Sequence, residues 1–108
     1  MHQRIAASAL VIALIGCAPD AWRNDAPFDS WLAGVRSACS YAMIGRYQVV
    51  SLLGMNASDQ ATIFLDSTSR LYTGRISPEQ WTQQVTSELE GRASDPGVAC
   101  VLNRLPAR

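Results

Sequence analysis

Residues 58–91, SDQATIFLDSTSRLYTGRISPEQWTQQVTSELEG, decide the fold, because two amphipathic helices and the break between them can be read from this stretch directly. Asn56 or Ser58 opens the first helix, in which Ala61, Phe64, Leu65, Thr68, Leu71 and Tyr72 recur at helical spacing and form one stripe. Asp66 precedes Arg70 by one helical turn, the order in which an acid and a base support each other on a helix face. Gly74 ends this helix. Ser77-Pro78-Glu79-Gln80 starts the second, with serine as cap, proline where a helix has no use for its missing N–H, and glutamine in capping-box position. Trp81, Val85 and Leu89 form its narrow apolar edge, and Gly91 closes it.

Working outward, Asp29 or Ser30 caps an earlier helix whose apolar positions are Trp31, Leu32, Val35, Cys39, Ala42 and Met43. Gly45 stops or kinks it, and Tyr47 to Leu53 continues as a short apolar segment expected to be helical. Its β-branched residues also suit a strand, but the sequence shows no second strand to pair with it. Downstream, Ser94-Asp95-Pro96 starts a last short helix with Val98, Val101, Leu102 and Leu105 on its stripe. Cys100 lies well around that helix from the other four, so either the segment is irregular there or Cys100 sits at the edge of the core. The expectation is an all-α domain over residues 29–108, a small bundle of four to five short helices. Trp31, Tyr41, Tyr47, Phe64, Tyr72 and Trp81 supply aromatic core mass, with Tyr41 and Tyr47 less well placed on the stripes.

The N-terminus has a different organisation. Met1-His2-Gln3-Arg4 is a short positive segment, and Ile5 to Gly16 is an apolar run of 12 residues, too short to span a bilayer. It ends in Leu14-Ile15-Gly16-Cys17. This resembles the lipobox of bacterial lipoproteins: a branched apolar residue, a small or aliphatic one, Gly or Ala, then Cys. The resemblance implies that residues 1–16 are a signal peptide, that Cys17 carries diacylglycerol through its sulfur, and that the new amine is acylated. Two or more acyl chains make a stable anchor where one is marginal. Ala18 follows the lipidated cysteine where inner-membrane retention typically has Asp, so the resemblance points to the outer membrane, facing the periplasm. Residues 17–28 are then the lipidated N-terminus and tether; Ala18 to Pro27 carries two prolines, two aspartates and no apolar period.

Cleavage before Cys17 leaves 92 residues, enough for one small domain. With Cys17 acylated, Cys39 and Cys100 remain, and outside the cytoplasm such a pair reads as a disulfide. The mature segment has eight Arg, no Lys and nine acidic residues, a net charge of −1 with the amine acylated, so no basic surplus argues for nucleic acid. The single histidine, His2, leaves with the signal, removing the usual general base and the commonest metal ligand. No metal and no cofactor are expected. Glu88 and Glu90 are two apart on a helix and face different directions, so they make no carboxylate pair with Glu79 or Asp66. The serines have neither a nucleophile elbow nor a lysine or histidine base, and the glycines form no phosphate loop.

Gly45-Arg46, Gly74-Arg75 and Gly91-Arg92 each follow a helical stretch, which suggests glycine in a left-handed cap with arginine beside the unpaired helix carbonyls. These features point to a non-enzyme that binds a protein partner of an envelope assembly, by analogy of size and compartment with the helical pilotin lipoproteins. A periplasmic immunity or inhibitor protein that neutralises a toxin or hydrolase is the alternative. Interfaces concentrate their energy in Trp, Tyr and Arg, which makes Trp22, Tyr47, Arg70 and Arg75 the candidate partner-binding residues.

Overall fold

A computed structural model describes residues 26–54 and 58–107. Its elements are α1 (Ala26–Cys39), β1 (Met43–Ile44), β2 (Tyr47–Gln48), α2 (Val49–Leu52), α3 (Asp59–Tyr72), α4 (Pro78–Leu89) and α5 (Pro96–Asn103). The fold is mostly helical, and the two short strands form one antiparallel hairpin.

The stretch 58–91 folds as its residues dictate. Ser58 caps α3 by accepting from the Ala61 N–H, and Asp66 meets Arg70 at 3.2 Å. Ser77 and Gln80 make the reciprocal capping box at the start of α4. Phe64 and Leu71 on α3 are buried together with Trp81, Val85 and Leu89 on α4, and the Phe64 and Trp81 rings meet edge to face at 6.3 Å. Burying the Trp81 indole N–H requires an acceptor, and the Thr68 hydroxyl provides it at 3.1 Å. Thr68 therefore belongs on the stripe despite its hydroxyl, whereas Leu65, expected there, is 43% exposed.

Two expectations fail around Gly45. The first helix ends at Cys39 and not at Met43, and it is already helical at Ala26, the first described residue, so Asp29 and Ser30 lie inside it and do not cap it. The chain then turns through the Ala42 N–H to Cys39 carbonyl bond and enters the hairpin, where Ile44 pairs with Tyr47 across Gly45-Arg46. Gly45 has φ +60°, the conformation that two-residue hairpin loops require and that β-carbon sterics deny to most residues. The partner strand for Tyr47 is thus Met43–Ile44, and the helix expected over Tyr47 to Leu53 shrinks to the four residues of α2. The all-α reading is corrected to mostly α with one hairpin.

Cys39 and Cys100 are bonded to each other, closing a loop of sequence separation 61. The α5 helix runs regularly through Cys100, which is half-buried while Cys39 is 1% exposed, so the bridge sits at the edge of the core. Val98 and Val101 are buried beside it, and Leu102 and Leu105 pack against the core from its margin.

The Gly-Arg pattern does not mark three equivalent helix ends. Gly74 takes the left-handed conformation (φ +78°) after α3, but at the end of α4 that conformation belongs to Glu90 (φ 55°). Gly91 serves close approach instead: a Cβ there would lie 2.8 Å from both the Gly45 nitrogen and Asp95 Oδ2. The arginine that does satisfy a carbonyl is Arg36, whose Nη2 donates to the Leu53 oxygen at 2.6 Å.

Asp95 ties this junction together. Rather than capping α5 with its side chain, its Oδ2 accepts from Gly45 N–H at 2.7 Å and Arg92 N–H at 3.0 Å. The Gly45 bond first, then the Arg92 bond, favour the ionised form and hold the Asp95 carboxyl below its ordinary value of 3.8. A depressed pKa contributes stability that is fully present above the unfolded value and lost as pH falls through the folded one. Asp95→Asn is therefore expected to lower the melting temperature at pH 7, and the gap from wild type should close as pH drops below about 4. A gap that stays constant down to pH 2 in a melting series would show that the carboxylate charge is not what holds the hairpin.

Candidate functional site

The helices set up two ends. The hairpin follows α1, its Ile44 reaches Gly91 at the end of α4 and Gly97 at the start of α5, and all of these lie at one end of the domain. At the other end are the start of α1, the last turn of α3, the start of α4 and the C-terminal end of α5. There Trp31 Nε1 donates to the Arg104 carbonyl at 2.6 Å, and the Tyr72 ring lies 5.0 Å from that of Trp31 and 5.4 Å from that of Phe28. The 14 residues of α1 separate the two ends by about 21 Å.

This geometry divides the candidate partner-binding residues. Tyr47 stands in the hairpin and packs its side chain against the core, half-buried. Arg70 and Arg75 belong to the opposite end, where Arg70 is already paired with Asp66 and its carbonyl accepts from the Arg75 N–H. Trp22 and Cys17 lie outside the described residues. Among the three candidates that are described, Tyr47 thus lies apart from Arg70 and Arg75.

Two other groupings are brought together. At the hairpin end, Tyr41 is 77% exposed, the highest value among the large hydrophobics of the described residues, and Arg46 at the hairpin tip has a side chain 77% exposed, 4.0 Å from Glu90. An exposed tyrosine and arginine around one hairpin are the residue types that carry binding energy. At the other end, the half-buried rings of Phe28, Trp31 and Tyr72 meet at tilted angles, and the same end has a groove of about 400 Å³ lined by Leu71, Ile76, Pro78, Leu105 and Pro106. The aromatic face was missed because Trp31 and Tyr72 read as core from their stripes, while Phe28 lay within the presumed tether. Its signal was present as Phe28 and Trp31 at i,i+3, one face of a helix that starts earlier than its first good cap.

The carboxylates are dispersed over the surface. Asp66 is held by Arg70, Glu90 occupies the α4 cap, and Glu88 lines a shallow surface depression with Ser67 and Gln84. Among the described residues no three His, Cys, Asp or Glu side chains cluster as metal ligands, and no helix is long and apolar enough to cross a membrane. The chain matches no family model, and no curated protein or solved structure is significantly similar to it.

Proposed function

We propose that this chain is a non-catalytic lipoprotein, anchored through Cys17 in the outer membrane, whose periplasmic domain binds a protein partner of an envelope assembly through its hairpin end. The observation that carries the reading is the Cys39–Cys100 pairing. Of three cysteines it leaves over Cys17, the one that closes the lipobox-like run. A disulfide also suits an oxidising compartment, which is where such a signal delivers a protein. The exposed pair Tyr41 and Arg46 supplies the contact chemistry, and Tyr47 supports the hairpin from beneath.

Capture of the partner from detergent-solubilised membranes tests this. Tyr41→Ala and Arg46→Ala should each weaken affinity about 30-fold, the equivalent of roughly 2 kcal/mol, with the melting temperature unchanged. Tyr47→Ala should instead lower the melting temperature, because it removes packing. Wild-type capture by both surface variants would remove the hairpin end as the contact. A captured toxin or hydrolase that loses activity would reassign the role to immunity, and hydrolysis of peptidoglycan that Glu88→Gln stops would overturn the non-catalytic reading.

A further inference from the structure

We infer that the groove between α1 and α3 binds the C-terminus of a partner polypeptide whose last residue is apolar, with Arg36 receiving the terminal carboxylate. This site is separate from the lipid anchor and from the hairpin contact, and depends on neither. Helix α2 packs against both α1 and α3, and the buried Leu52 and Leu53 at its end form a floor between them. Leu32 and Arg36, one turn apart on α1, make one wall. Ala61 and Leu65, one turn apart on α3, make the other. Neither Ala61 nor Gly54 has a side chain long enough to fill the space, and a cavity of about 210 Å³ is left.

The lining states what fits. Leu65, which its spacing places on the apolar stripe of α3, is 43% exposed beside this leucine floor, so an incoming apolar side chain covers surface that the fold leaves to water. Charge supplies the second requirement. Arg36 Nη2 donates to the Leu53 carbonyl at 2.6 Å, which holds the guanidinium at the groove while the rest of its donor fork stays unused. Among the described residues no carboxylate neutralises it, since the ion pairs there join Arg46 to Glu90 and Arg70 to Asp66. A guanidinium already held in place loses little freedom on binding, and its planar fork matches the two oxygens of a carboxylate. Size then selects the source of that carboxylate. A cavity of about 150 Å³ takes a benzene molecule, so one of about 210 Å³ takes a single leucine- or phenylalanine-sized group and not a long acyl chain. The last residue of a polypeptide carries one such side chain and a carboxylate on the same α-carbon.

Titration of the isotope-labelled full chain with the peptide acetyl-Gly-Ser-Gly-Leu, followed by nuclear magnetic resonance, reads the site. Shifts should concentrate at the amides of Leu52 to Gly54 and Ala61 to Leu65 and at the Arg36 Nε–H. The same peptide with a C-terminal amide should bind about tenfold more weakly or worse, because it loses the charge-assisted pair. A peptide ending in serine should lose a similar factor, because it buries no leucine. Arg36→Lys keeps the charge without the fork and should also cost about tenfold in affinity. Because Arg36 also holds the Leu53 carbonyl, a second variant leaves that bond alone: Leu65→Asp puts a like charge at an exposed position and should abolish binding with the melting temperature little changed. Equal binding of acid and amide, undiminished binding to Leu65→Asp, or the absence of shifts at millimolar peptide overturns the site. Displacement of the peptide by an equal concentration of decanoate overturns the polypeptide chain end as its occupant.

Discussion

Reducing the Cys39–Cys100 bond should lower the melting temperature of this domain by about 10 °C or more. The bond closes a loop of sequence separation 61, and the chain-entropy relation for such a loop gives about 4 kcal/mol through restriction of the unfolded chain. That is a large share of what a small domain has in total. At roughly 4–8 °C per kcal/mol for a domain of this size, even half the expected amount produces the stated shift. Location strengthens the expectation: the bridge fastens the end of α1 to α5, two elements whose buried Val35 and Val101 share one core cluster and which are also tied at the far end by the Trp31 bond to the Arg104 carbonyl. Calorimetry with and without reductant checks it, with Cys39→Ala/Cys100→Ala as the reagent-free control. An unchanged melting temperature, or thiol labelling of both cysteines in the native protein, would remove the bridge from the account of stability.

The second large effect is on location. On the proposed anchoring, Cys17→Ser should convert a membrane-sedimenting protein into one that carries no lipid, because the thioether would form on that single sulfur and the hydroxyl of serine cannot replace it. Processing that depends on prior lipidation should then stop, leaving the precursor with residues 1–16 attached. The expected readouts are loss of acyl mass and retention of the N-terminal segment. Two acyl chains or more separate a stable anchor from a marginal one, so the change in lipid partition should be all but complete. A wild-type chain that begins elsewhere and has no acyl chain would overturn the anchoring. The folded domain should be indifferent to this substitution, since the core that the described residues build runs from Val35 to Val101.

Local signals were legible wherever one residue type had one mechanism. The capping box at Ser77 and Gln80, the stripe of Phe64 and Leu71, the Asp66–Arg70 pair and the edge of Trp81, Val85 and Leu89 all follow from spacing along a single helix, and all are present. The Cys39–Cys100 pairing followed from arithmetic and compartment, without geometry. The candidate surface was less legible. Tyr41 was recognised as poorly placed for the core, but Arg46 and Phe28 were not separated from their neighbours, because exposure depends on which elements cover a side chain.

What the sequence by itself determined is thus the helical elements α3, α4 and α5, most of α1, the bridge, and the central core residues Val35, Phe64, Leu71, Trp81, Val85, Leu89, Val98 and Val101. What only the tertiary structure decided is the hairpin and the division of the surface into two ends. Strands of two residues have no alternation to detect, so Met43–Ile44 and Tyr47–Gln48 exist only because they pair. Their pairing is held by contacts distant in sequence: Asp95 on the Gly45 N–H, Gly91 small enough to admit the turn, and Gly97 leaving room for Ile44. The same holds for the aromatic end, where Phe28 and Trp31 meet Tyr72 only after α1 and α3 have docked. Periodicity along one element reports which face is apolar; which apolar face remains partly open is set by the packing of all of them together.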